Sequence, residues 1–156
     1  SRFPPGISIR IRMELSEIYK YDSLAKIVPL LNDWKVIPIL NKNIIVNNKF
    51  IRGLKWIKKL KGNYILYLLK SSENLELTCQ RFFINSKEKK ILKEYSNITN
   101  QLDNEKEKFL YLTPAQWTEF IETKRLDEET VKLLICNGGL FCKSFFKLLF
   151  VYKFIK

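Results

Sequence analysis

The 156-residue chain contains no histidine. That removes the usual general base near neutral pH, the commonest zinc ligand, and every Ser-His or Cys-His nucleophile pair. Glycine is scarce as well. The five present form neither a G-x-G-x-x-G fingerprint nor a Walker A loop, so no glycine-rich cradle for nucleotide phosphates is written in the chain. Cys79, Cys136 and Cys142 are odd in number and lack C-x-x-C spacing, which fits neither a disulfide framework nor a zinc site. Cys79 reads as a small core residue. For Cys136 and Cys142, reduced thiols in an intracellular protein, nuclear or cytoplasmic, are favoured over a bridge. Carboxylates such as Glu119 with Glu122, or Asp127 to Glu129, lie in charged helical patterns and read as solvated surface. The expectation is a non-catalytic protein with no cofactor and no metal.

Other absences act on localisation. No uninterrupted apolar run reaches the roughly 20 residues of a membrane span. Behind Met13, the sole methionine, Glu14 and Glu17 replace the basic start of a signal peptide. Without secretion, the Asn97-Ile98-Thr99 sequon carries no meaning. No internal repeat or low-complexity segment is present.

What the chain does hold is positive charge, 28 basic residues against 16 acidic, a net +12. Its distribution is uneven. Seven of the twelve net charges fall outside residues 13–135, while residues 13–72 carry eleven basic side chains against four acidic ones. The length suits one ordinary domain, and an apolar fraction of 46% argues for a folded core. Three divisions are expected. Residues 1–12 (Pro-Pro-Gly, then alternating Ile and Arg) read as a non-native or flexible leader, or else as part of a longer chain with Ile7–Ile11 an edge strand. Residues 13–135 form a single α+β domain. Residues 136–156 are a basic apolar segment that is buried, non-native, or laid on a membrane as an amphipathic helix.

Local signals lead to a small antiparallel sheet packed with about four helices. Ser16–Leu31 has helical spacing, with Pro29 ending or kinking it. Trp34–Leu40 and Ile44–Val46 are β-prone, and Pro38 makes the first an edge strand. Tyr64–Leu69 is continuously apolar, as a central strand would be. Leu75–Ile84 alternates at first, so residues 63–84 predict a hairpin. Asn85-Ser86 opens a helix, and Phe109–Leu112 predicts a last short strand. Thr113-Pro114 opens another helix, and Asp127-Glu128-Glu129 a final one ending at Asn137-Gly138-Gly139.

The functional signal concentrates in Lys49–Lys61, with six basic residues, six large apolar ones and no acid. Behind an Asn47-Asn48 cap, Phe50, Ile51, Leu54 and Ile57 gather on one side of a helix, and Arg52, Lys55 and Lys59 on the other. Gly53 marks a weakness in that helix or a close approach, and Gly62 predicts a left-handed cap. Trp56 and Tyr64 read as core rather than as stacking platforms. Such a face neutralises phosphates and releases counterions without reading sequence. The expected nucleic-acid contacts are therefore Arg52, Lys55, Lys58, Lys59 and Lys61, with Lys70 and Arg81 on the adjacent hairpin. A basic helix followed by a hairpin is also the order of a winged helix. In addition, Leu112-Thr113-Pro114-Ala115-Gln116-Trp117 is similar to the strand-to-helix junction of the positive-cofactor-four family of single-stranded DNA binders. That resemblance covers this junction alone and assigns no residue a role. The alternative expectation is a protein–protein interaction or scaffold subunit whose lysines are merely solvated.

Overall fold

The computed structural model describes residues 5–21, 24–137 and 151–152, and every regular element among them is a helix. The order is α1 (Pro5–Tyr21), α2 (Leu24–Asp33), α3 (Ile37–Leu40), α4 (Asn48–Lys59), α5 (Tyr64–Leu69), α6 (Leu75–Arg81), α7 (Ser86–Asn104), α8 (Lys106–Leu110), α9 (Pro114–Lys124) and α10 (Glu128–Cys136). The α+β expectation is thus overturned: the described residues contain no strand and no sheet.

The hairpin at 63–84 is two helices joined by a turn. In α5 all six residues are buried, so the run needs no polar face and shows no period from which helix and strand could be told apart. Asn63 starts it, its Oδ1 accepting from the amides of Ile65 and Leu66. Burying Ile65, Leu66, Leu68 and Leu69 contributes about 1.5–3 kcal/mol each. In the second half, the alternating set Leu75, Leu77 and Cys79 would share a strand face, yet Leu77 is 43% exposed. Leu75, Cys79 and Phe82, at helical spacing, are the residues turned to the core. Asn74 caps α6 by accepting from the Leu77 amide.

The short strands near 34–46 are absent as well. Pro38 stands in the first turn of α3, where its missing N–H costs nothing, and Ile44–Val46 has no ladder partner. Phe109 and Leu110 end α8 rather than forming a strand. The Thr113-Pro114 helix start therefore exists without the strand of the single-stranded DNA-binding junction, and among the described residues a winged helix has no hairpin to serve as wing. Ile7–Ile11, the other strand candidate, lies within α1.

Helix boundaries follow caps. Asn85 and Glu88 form a capping box at α7, and Thr113 and Gln116 another at α9. Asp127 Oδ1 accepts from the Glu129 amide at α10. Pro29 neither ends α2 nor prevents it from reaching Asp33. Four helices terminate at left-handed residues that are not glycine: Lys35, Lys61, Phe83 and Arg125. At the end of α4 the Gly62 amide donates to Ile57 O and the Lys61 amide to Lys58 O. That is a Schellman closure, with Lys61 at φ 55° in the place expected for Gly62.

Helices α2, α4, α5, α7 and α10 surround one core, with α4 packed against α10, α2 and α5. A polar hub ties the periphery to it. Buried Glu88 accepts from Arg12 Nη2 at 3.2 Å, Asn63 Nδ2 at 2.7 Å and the Asn85 amide at 3.3 Å. Helix α1 runs unbroken across residues 12 and 13, where the sequence texture changes, and Arg12 Nη1 also donates to Phe82 O. Residues 138–150 and 153–156, and with them the expectations for that part of the C-terminal segment, lie outside the described residues.

Candidate nucleic-acid interface and a lysine-lined cleft

Helix α4 forms as its sequence dictates. Asn47 Oδ1 accepts from the Phe50 amide, and Gly53, Leu54 and Ile57 are buried while Arg52, Lys55 and Lys59 are exposed. Those three cations recur at helical spacing on the side opposite the buried residues. Gly53 lies against the core. A Cβ there would stand 2.0 Å from Tyr67 Oη and 2.7 Å from Cys136 O, so the missing side chain is what lets α4 lie against α5 and the end of α10.

The remaining expected contacts separate. The Lys58 ammonium turns back to α1, donating to Tyr19 O and standing 4.6 Å from the Tyr19 ring centroid. Lys59 stands over Trp56 at 5.0 Å, and Lys61 is exposed at the Schellman turn. Arg81 belongs to α6 and is half-buried, with its guanidinium 5.4 Å from the Phe82 ring. Lys70 follows α5 and is turned inward. Because α5 and α6 stand where a hairpin was expected, Lys70 and Arg81 do not sit on a wing beside α4.

Lys70 lines a cleft of about 280 Å³ between the α3–α4 connection, the first turn of α4 and the ends of α5 and α10. Its ammonium lies 5.2 and 5.7 Å from the Tyr67 and Tyr95 rings and donates to Asn137 Oδ1 at 3.3 Å. Burial first, then the charge of Lys49, pull it down to about 8 from the ordinary 10.5, with Cys136 opposing. Burial pushes the Cys136 thiol up to about 12, which leaves it protonated and inert at neutral pH. Cys79 and Cys136 are both free thiols. Sequence reasoning missed this cleft. Lys49 belongs to the basic stretch, but helical-face arithmetic leaves it out, and only the packing of α4 against α5 brings Lys70 beside it.

No protein-family model matches the chain. The curated proteins and the solved structures likewise yield no match. Function therefore rests on the geometry. Among the described residues, no helix is long and apolar enough to cross a membrane, and no group of three or more acidic or cysteine side chains is placed to hold a metal ion.

Proposed function

We propose that the chain binds nucleic acid without catalysis, contacting phosphates through the outer face of α4. The observation that carries this is the division of α4 into an anchored side (Gly53, Leu54, Ile57) and an exposed side bearing Arg52, Lys55 and Lys59, with no acid from Asn48 to Lys61. A rigid helix holding several cations outward meets a phosphate backbone at little ordering cost, and affinity follows from counterion release. Lys61, exposed one turn beyond Lys58, extends the same end of the helix. Lys58, Lys70 and Arg81, held by neighbouring aromatics and backbone, contribute less. The reading also implies an intracellular site of action, nuclear or cytoplasmic.

The test is affinity for a random oligonucleotide measured across a salt series. Each phosphate contact contributes about 0.9 to the logarithmic salt slope on duplex DNA, so charge reversal at Arg52, Lys55 and Lys59 together lowers the slope by about 3. Binding that is independent of salt, or unchanged in the triple variant, rejects the proposal. A protein-binding role is the second reading. Leu30 and Trp34, 48% and 68% exposed one turn apart at the end of α2, favour it.

A further inference from the structure

We propose that the cleft holding Lys70 and Lys49 is a binding site for a small phosphate group, free or carried as a monoester. This goes beyond the α4 reading and does not depend on it, since the cleft opens at the start of α4 and uses none of Arg52, Lys55 or Lys59.

Among the described residues lining the cleft, every charged side chain is cationic and none is a carboxylate. The Lys70 ammonium is largely withdrawn from water, and its hydrogen-bond partner is a neutral amide oxygen. Tyr67 and Tyr95 present aromatic rings, which offset only part of the lost hydration. Lys49 adds a second positive charge that acts on the first. Two like charges, one of them half-buried and lacking an ion-pair partner among the described residues, are an unfavourable arrangement unless an anion joins them. Donors for such an anion converge on the same space. Ser71 Oγ accepts from Asn41 Nδ2, leaving its own proton to donate. The cleft also lies at the first turn of α4, which carries no acidic residue, so the positive end of the helix dipole adds to the two lysines. Ile44 and Ile45 supply an apolar wall beside the cations, suited to the organic part of a monoester.

The experiment uses the full chain with inorganic phosphate, pyrophosphate and a nucleoside monophosphate, each titrated at constant ionic strength against chloride. Binding is read by calorimetry. Amine acylation of Lys70 is followed in parallel by mass spectrometry. The expected results are saturable binding, protection of Lys70 from acylation, and affinity reduced about tenfold or more in Lys49→Gln, as for loss of one charge-assisted hydrogen bond. Lys70→Met abolishes binding. If that variant does not fold, Lys49→Gln and the protection of Lys70 in the unaltered protein decide alone. A preference for the nucleoside monophosphate over inorganic phosphate identifies a monoester ligand, and the reverse identifies the free anion. Protection that persists after charge reversal at Arg52, Lys55 and Lys59 separates this site from the α4 face. Acylation of Lys70 unaffected by any of the three anions, or equal affinity in Lys49→Gln, overturns the proposal.

Discussion

Replacing Gly53 by alanine sets two physical effects against each other. In an exposed helix interior the change stabilises by about 1 kcal/mol, because glycine loses more backbone entropy on folding and alanine is the best helix former. At Gly53 the added methyl meets Tyr67 Oη at 2.0 Å, Tyr67 Cζ at 2.6 Å and Cys136 O at 2.7 Å. The phenol cannot simply swing aside, since Tyr67 is 3% exposed and its hydroxyl donates to Phe50 O at 3.0 Å. Nor can the Cys136 carbonyl, which is main chain. Overpacking costs about 1–3 kcal/mol, and a strained or broken Tyr67 hydrogen bond adds about 1 kcal/mol. The net expectation is destabilisation by about 1–3 kcal/mol, or a urea midpoint lowered by about 0.5–1.5 M. Urea unfolding followed by far-UV circular dichroism measures it. In a Tyr67→Phe background the closest atom is gone but Cζ and the Cys136 carbonyl remain, so the penalty shrinks without vanishing. A Gly53→Ala protein as stable as the parent, or more so, refutes the close packing of α4 against α5 and α10.

Three further predictions follow from the caps, the hub and the inward-turned amine of Lys70. Lys61→Gly relieves a left-handed residue that carries a Cβ, and thermal unfolding is expected to show a gain of about 0.5–1 kcal/mol. Removing the Glu88 carboxylate with Glu88→Ala leaves Asn63 Nδ2, the Asn85 amide and Arg12 Nη2 without their acceptor. Denaturant unfolding should register a loss of about 2–4 kcal/mol, with a smaller loss for Glu88→Gln, which keeps one oxygen. Between pH 8 and 10.5 the unfolded chain holds the Lys70 proton more tightly than the folded one, so this group's contribution to stability rises with pH across that window. Cys136, raised from 9 to about 12, and Tyr19, raised from 10 to about 12, act oppositely at the alkaline end. The difference in stability between the parent and Lys70→Met isolates the lysine. That difference should move in favour of the parent as pH increases from 8, and a flat difference contradicts the inward placement of Lys70.

Caps and amphipathic periods were legible before any coordinates. Asn47, Asn85, Thr113 and Asp127 mark helix starts through side chains that satisfy local amides, so nothing distant is needed to read them. The split of α4 into Leu54 and Ile57 against Arg52, Lys55 and Lys59 is equally local. Helix ends were harder. Lys35, Lys61, Phe83 and Arg125 reverse the chain without the glycine that normally announces a left-handed turn.

The primary structure by itself determined a basic, histidine-free chain with a mid-chain cationic helix and well-defined helix starts, because those properties depend on neighbours a few residues away. Tertiary packing alone decided that Tyr64–Leu69 is a buried helix and not a strand. An all-apolar hexapeptide satisfies either geometry, and only the helices that enclose it on every side select one. The same packing decided that Lys70 faces a cleft beside Lys49 rather than solvent, since that environment is assembled from segments far apart along the chain.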